Sequence, residues 1–129
     1  MTDHLTMQGE NRRAGTHLLA DLYGCRDLDN AELIVNTLRD AALASGATIL
    51  HHHIHQFQAN GGLSGAVILA ESHITIHTWP EIAFAAVDIF LCGRCNPDDA
   101  LPIILAAFAP QKKILKKIHR GRLAPQLVI

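Results

Sequence analysis

The feature that most constrains the fold is a series of short apolar runs bounded by turn residues. Residues 63–70 and 84–91 are almost continuously apolar, which is typical of buried strands. Residues 17–23 and 48–57 also have strand character, and a turn at residues 60–62 separates 48–57 from the next run. These segments predict a sheet.

Two segments between these runs have helical periodicity instead. Asp29 precedes Glu32 by three residues, which resembles a capping box, and Gly46 is placed to end this first helix. Asn96 and Pro97 open a second helix with a capping amide and a first-turn proline. The residues that recur on the inner faces are Leu33, Ile34, Thr37, Leu38, Ala41 and Ala42 in the first helix, and Leu101, Ile104, Leu105 and Phe108 in the second.

Together these elements predict an α/β fold of the α+β type. We expect a two-layer α-β sandwich, a mostly antiparallel sheet with both helices on one face, and a second subunit over the other face. Residues 112–129 are expected to add a strand, and the polar residues 1–14 to form a flexible lead-in. A chain of 129 residues that is 49% hydrophobic supports one domain, residues 15–129.

Charge and hydropathy exclude several kinds of partner. The formal net charge of -1 gives no overall field that would attract nucleic acid or an anionic membrane. No apolar run approaches the roughly 20 residues that span a bilayer, and the N-terminus lacks the layout of a secretion signal. We therefore expect a cytoplasmic protein without nucleic-acid or membrane partners. The odd set of cysteines, Cys25, Cys92 and Cys95, favours reduced thiols over a disulfide framework.

Three further patterns have both a functional and a structural interpretation. The cluster His51–His55 could bind a metal, but strand alternation sends His52 to the opposite face from the others, and a solvated or interface strand is favoured. The basic run 112–122 could bind nucleic acid, but an edge strand protected by lysines is favoured. The C-x-x-C pair at residues 92–95 lacks a second pair, so redox or zinc use is disfavoured.

The run E-S-H-I-T-I-H-T-W-P-E at residues 71–81 contains a serine, histidines and two carboxylates. In general, a serine hydroxyl can attack its preceding carbonyl and turn that amide into an ester. Loss of the serine α-proton would then eliminate the preceding residue as a carboxylate, and water would hydrolyse the remaining dehydroalanine to a pyruvoyl group and ammonia. Such a ketone forms a Schiff base with a substrate amine and accepts the electrons released by decarboxylation.

This run resembles the self-processing segment of prokaryotic S-adenosylmethionine decarboxylase, a family of pyruvoyl enzymes of polyamine synthesis. The resemblance covers roughly residues 15–122, since other family motifs occur in the same order. These motifs lie at residues 15–25, at Ser64-Gly65, at residues 85–90 and at Cys92-Gly93.

The resemblance implies a proenzyme that cleaves itself between Glu71 and Ser72. The products would be a β chain, residues 1–71, and an α chain, residues 72–129, with a pyruvoyl group formed from Ser72. No metal and no pyridoxal phosphate should be required. The implied assembly is a homodimer of αβ protomers with active sites near the subunit boundary.

The same resemblance assigns roles to individual residues. Ser64 would assist the acyl shift, and His77 would take the α-proton of the cleavage serine, a task that suits a neutral imidazole. Cys92 would protonate the product carbon. In substrate binding, Glu81 would hydrogen-bond the ribose hydroxyls and Phe57 would stack on adenine. Trp79 lies beside the site and is either a substrate contact or a structural anchor.

Several positions depart from the family pattern. Residues 82–84 read Ile-Ala-Phe instead of an aromatic-small-aromatic triplet. Leu91 replaces a usual threonine, and Arg94 stands where an acid often occurs. The interval 57–64 lacks a common proline and is one residue longer.

The expected activity is decarboxylation of S-adenosylmethionine, which yields the decarboxylated aminopropyl donor for spermidine. One alternative is a pyruvoyl-dependent L-ornithine or L-arginine decarboxylase derived from the same family, because the departures flank the expected pocket. Another is a non-processing regulatory homologue. Retention of all four groups needed for processing and catalysis counts against it, namely Ser64, Ser72, His77 and Cys92.

Overall fold

A computed structural model describes residues 13–70 and 72–122 of the protein. The elements in chain order are β1 (Gly15–Tyr23), α1 (Ala31–Ala44), β2 (Ile49–Gln56), β3 (Leu63–Leu69), β4 (His73–Trp79), β5 (Phe84–Cys92), α2 (Pro97–Phe108) and β6 (Lys112–Arg120). The strands form one sheet in the order β2-β3-β4-β5-β1-β6, and every neighbouring pair is antiparallel. The predicted sandwich is confirmed.

The hydrophobic core lies between the sheet and its two helices. Both helices pack on the same face, where α1 covers β2, β3 and β4 while α2 covers β5 and β1. Alternate residues of β3, β4 and β5 face this layer and are fully buried, since successive side chains of a strand point to opposite faces. The largest buried side chains include Phe108, Leu22, Ile34, Leu38, Ile74 and Ile89.

The opposite face of the sheet is not covered by any described element. Its exposed side chains include several large apolar groups: Tyr23, Ile68, Trp79, Ile114 and Ile118. We call this surface the open face. A second subunit over it remains a prediction.

The first helix begins one residue later than its sequence indicates. Asn30, not Asp29, is the N-cap, and its side-chain oxygen accepts a hydrogen bond from the Leu33 backbone N–H at 3.1 Å. Asn and Asp are equally good caps, so the capping-box pattern could not separate the two positions. The backbone carbonyl of Asp29 instead accepts a bond from the Gln56 side chain at 2.8 Å.

The chain ends are only partly described. Residues 1–12 of the predicted lead-in, Glu71 of the predicted cleavage bond and residues 123–129 of the predicted terminal strand lie outside the described residues. Ala14, assigned to the flexible lead-in, donates its N–H to the Arg120 carbonyl at 2.9 Å and is held at the sheet edge. The basic run forms the edge strand β6, as predicted. Within the described residues, no helix is long and apolar enough to cross a membrane.

The corrected helix start is testable by two matched substitutions. Asn30→Ala removes a cap oxygen from the first turn of α1 and is expected to lower the free energy of unfolding by about 1 kcal/mol. Asp29→Ala should change it by less than about 0.5 kcal/mol. Denaturant unfolding measures both, in a Ser72→Ala background that lacks the hydroxyl needed for the predicted cleavage. A larger loss for Asp29→Ala would show that the cap is misassigned.

Candidate active site

The strands β3 and β4 form a hairpin, and Ser64 and His77 lie opposite each other on it. This pair is at the open end of the hairpin, away from the connection between the strands. The Ser64 Oγ and the His77 Nδ1 are 3.0 Å apart, which is hydrogen-bond distance. In a neutral ring, Nδ1 can accept a hydrogen bond from the hydroxyl while Nε2 carries the ring proton. His77 is exposed and Ser64 is half-buried, so this pair can exchange a proton with a ligand.

A cleft of about 320 Å³ opens beside this pair. The exposed rings of Phe57 and Trp79 form two of its walls, and such ring faces suit stacking on a planar ligand. Glu81 stands beside the cleft, because the Asn60 side-chain amide on the cleft wall donates to the Glu81 Oε2 at 2.8 Å. The three residues predicted to bind substrate are therefore gathered near the Ser64–His77 pair.

The loop at residues 57–62 is fixed by its own hydrogen bonds. The Phe57 N–H donates to the Gly62 carbonyl at 2.7 Å, and the Gly61 N–H donates to the Phe57 carbonyl at 3.1 Å. A Cβ at Gly62 would lie 2.8 Å from the Thr78 carbonyl oxygen, so only glycine allows the loop to approach β4 this closely. The loop at residues 57–62 therefore gives this wall of the cleft a fixed conformation.

Thr78 joins the cleft to the core beneath it. Its buried hydroxyl accepts from the Leu63 N–H at 2.9 Å and donates to the Leu28 carbonyl at 2.8 Å. After Trp79 the chain forms a 3₁₀ turn, Pro80–Ile82, which ends at Ala83 with a φ of 53°. This turn places Glu81 next to the loop that carries Asn60.

Ser72 and Cys92 lie at the other end of the sheet. Ser72 belongs to the connection between β3 and β4, where its carbonyl accepts from the Leu69 N–H at 2.9 Å. Cys92 is the last residue of β5 and is half-buried. Five residues of extended chain separate Ser72 from His77, a span of about 16 Å. Within one chain, the structure does not bring Ser72, the predicted cleavage serine, to the Ser64–His77 pair.

A cluster of rings occupies the open face next to Ser72. The rings of His17, His73 and Phe90 contact one another at centroid distances of 5.6 to 6.3 Å. Arg120 donates to the His17 Nδ1 at 3.2 Å, so the His17 proton is on Nε2. This Nε2 is buried and has no hydrogen-bond partner among residues 13–70 and 72–122. Burial, opposed by the Asp88 charge, lowers the pKa of His17.

The strand β2 keeps the alternation that its sequence predicts. His51, His53 and His55 pair with open-face residues of β3, whereas the ring of His52 turns to the helix layer and lies 3.3 Å from the Arg39 guanidinium. In the described part of the chain, no three histidine, cysteine or acidic side chains are grouped to hold a metal ion. Neither cysteine of residues 92–95 forms a disulfide with another described cysteine.

Two of the departures from the family pattern lie away from the cleft. Leu91 is 1% exposed and points toward the helices, so it does not face the cleft. Arg94 is exposed in the turn after β5, at the Cys92 end of the sheet. The Trp79 and Phe84 rings are 5.3 Å apart, so the third residue of the 82–84 triplet does support a cleft wall.

The fold and the groups on its open face are those of a small α/β enzyme. The sequence profile of S-adenosylmethionine decarboxylase matches residues 16–121. The chain belongs to this family.

Named relatives agree with this assignment. The S-adenosylmethionine decarboxylase proenzyme of Thermomicrobium roseum is 39% identical over 108 residues, which cover 83% of this chain and 93% of the relative. The proenzyme of Methanococcus aeolicus is 43% identical over 113 residues, covering 85% and 96%. The crystal structure of Aquifex aeolicus adenosylmethionine decarboxylase superposes with a TM-score of 0.76 at 35% identity, covering 89% of this chain and 97% of that chain.

The lowered pKa of His17 predicts a pH dependence of stability. Unfolded chains take up the His17 proton at a higher pH than the folded protein does, so the contribution of His17 is present above about pH 6.5 and is lost as the pH falls. The free energy of unfolding should therefore decline between about pH 7.5 and about pH 5.5, and decline less in His17→Gln. Denaturant unfolding of both proteins, each carrying Ser72→Ala, measures the two slopes. Equal slopes would exclude this contribution.

Proposed function

We propose that this chain is the proenzyme of a pyruvoyl-dependent S-adenosylmethionine decarboxylase. The observation that carries the proposal is the grouping of the Ser64–His77 pair with an aromatic cleft and Glu81, all within the motif and loop that the family pattern marks. Relatives that match more than four fifths of this chain are named as proenzymes of this activity. The product would be the decarboxylated donor of an aminopropyl group.

The proposed processing reaction uses groups that this chain carries. The Ser72 hydroxyl attacks the Glu71 carbonyl, Ser64 assists this acyl shift, and His77 removes the Ser72 α-proton. The elimination breaks the ester and releases Glu71 as the carboxyl end of the β chain. It leaves a dehydroalanine at residue 72, which water hydrolyses to a pyruvoyl group with release of ammonia. This ketone supplies the electron sink that ordinary side chains lack. Cys92 then donates a proton to the product carbon, a role suited to a thiol.

The separation of Ser72 from His77 supports a site shared by two chains. A span of about 16 Å is far beyond the reach of proton transfer, which needs heavy atoms about 3 Å apart. In a two-fold dimer the same surface of each chain meets its copy, so the Ser72 end of one chain can meet the cleft end of the other. Each proposed site then combines Ser72 and Cys92 of one chain with Ser64 and His77 of its partner.

The open face is the surface that we assign to this dimer. It exposes large apolar side chains among polar ones, including Ile68 at 43% and Ile114 at 50% exposure. Apolar patches of this kind usually mark contact sites between proteins. A second copy stacked on this face would bury these side chains and place both halves of each site at the boundary.

The groups around the cleft fit S-adenosylmethionine better than a plain basic amino acid. The Phe57 and Trp79 rings can stack on a purine, and Glu81 can accept hydrogen bonds from ribose hydroxyls. The negative charge of Glu81 also favours a sulfonium cation. Ornithine and arginine offer neither a purine nor a ribose to these groups.

The processing step predicts a specific pair of fragments. Wild-type protein should separate into two fragments on a denaturing gel, and the α chain should be lighter by one ammonia than a fragment that begins with serine, because a ketone replaces the amine. Ser72→Ala should stay at full length, since it has no hydroxyl to attack the carbonyl. Intact-mass spectrometry of both proteins measures the chain lengths and the mass difference at residue 72. Cleavage of Ser72→Ala, or an α chain that begins with intact serine, would contradict this route.

Substrate choice is tested by comparing carbon dioxide release from carboxyl-labelled S-adenosylmethionine, L-ornithine and L-arginine. Processed enzyme should release label from S-adenosylmethionine and not from the two amino acids. Glu81→Gln removes the negative charge next to the cleft and should raise KM by about tenfold. Release from ornithine or arginine alone would overturn the substrate assignment but would leave the pyruvoyl chemistry intact. Full-length protein that never processes would instead indicate a regulatory homologue.

A further inference from the structure

Asn60 makes two side-chain hydrogen bonds beside the cleft. Its Oδ1 accepts from the Gly62 backbone N–H at 2.9 Å, which closes a local turn. Its Nδ2 donates to the Glu81 Oε2 at 2.8 Å. Asn60 therefore joins the loop at residues 57–62 to the 3₁₀ turn that carries Glu81.

The first of these bonds fixes the direction of the second. An amide side chain has an acceptor end and a donor end, and the Gly62 N–H can be satisfied only by the acceptor. The NH₂ end must then face Glu81. Because the loop is held by the bonds of Phe57 and Gly61, this donor stands at a defined place on the cleft wall.

The bond from Asn60 restricts the exposed side chain of Glu81. A free glutamate side chain samples many rotamers, and holding it in one of them costs conformational entropy. The bond to Asn60 meets part of this cost before a ligand arrives. It uses one lone pair of Oε2, so Oε1 and the remaining lone pair of Oε2 can accept two hydroxyl groups.

We propose that Asn60 is a positioning residue that holds the Glu81 carboxylate ready to accept both hydroxyls of a ribose, and so selects substrates that carry a nucleoside. This inference rests on the proposed function, since it assigns the specificity of that same site to a residue outside the eleven-residue motif. A substrate without vicinal hydroxyls gains nothing from the arrangement.

The test measures the binding of 5′-methylthioadenosine to processed enzyme by isothermal titration calorimetry. This probe has the purine and the ribose but no amine, so its affinity reports the nucleoside contacts alone. Asn60→Asp keeps the oxygen that accepts from Gly62 and replaces the donor with a negatively charged oxygen facing Glu81. We expect its dissociation constant for the probe to rise about tenfold, because a charge-assisted bond becomes a like-charge contact.

Gln58→Glu is the matched control variant. It makes the same amide-to-carboxylate change in the same exposed loop, but Gln58 is not among the residues that line the cleft. Its affinity should stay within about twofold of wild type. A second control is Asn60→Asp in a Glu81→Gln background, where the repulsion is absent and the change should also stay within about twofold.

A counterpart of the probe that lacks both ribose hydroxyls separates positioning from simple distortion. Its affinity should be nearly the same in wild type and in Asn60→Asp, because it makes no bond to Glu81. Equal losses for the two probes would show a general disturbance of the loop and would overturn the proposal, as would an unchanged affinity of Asn60→Asp for 5′-methylthioadenosine. Wild-type enzyme that binds this probe but leaves S-adenosylmethionine intact would refute the proposed function alone.

Discussion

The register of β3 against β4 is the constraint on which the rest of the structure depends. It places Ser64 opposite His77, with their polar atoms 3.0 Å apart on the open face. A shift of one residue would turn one of these side chains into the core, since neighbouring residues point to opposite faces. The same register sends Ser72 to the far end of the hairpin. One pairing therefore creates the Ser64–His77 pair and also separates it from the bond that we propose is broken.

The cleft depends on the core through a few polar contacts. Thr78 is buried, yet its hydroxyl accepts a hydrogen bond from Leu63 and donates one to Leu28, so it costs little to bury and fixes the end of β4. Gly62 allows the loop to lie against this strand end. The loop then holds Asn60 and through it Glu81. Rigid support of this kind suits a site that must recognise a ligand before chemistry begins.

Much of the fold was predictable because its signals are local. Apolar runs and turn residues located β1, β2, β3 and β5. The strand β4 was not predicted, because residues 73–79 alternate polar and apolar side chains and were interpreted only as a chemical motif. Asn96 with Pro97 marked the start of α2, where the Asn96 side chain does accept from the Asp98 N–H. The start of α1 was misplaced by one residue because Asp29 and Asn30 are both good caps. A chemical hypothesis for residues 71–81 could be formed from the sequence because the motif is contiguous, and it stays a prediction.

The arrangement of the site was less accessible from sequence. Motif order says nothing about which end of a hairpin a residue occupies, and Ser72 and His77 are close in sequence but about 16 Å apart along an extended strand. Asn60 was visible only as a turn residue, although an asparagine two residues before a glycine N–H is a known turn-closing pattern. Its contact with Glu81 joins residues that are distant in sequence and needed the folded chain to be seen.

The central claim, that each site is completed by two chains, is tested most directly by mixing defective chains. His77→Ala lacks the base and Ser72→Ala lacks the cleavage serine, so neither should process alone. When both are co-expressed with different tags, the His77→Ala chain should be cleaved, because its Ser72 meets His77 of the partner. A partner that carries both substitutions should not rescue it. Failure of the first pair to yield any cleaved chain, despite co-purification, would contradict the account.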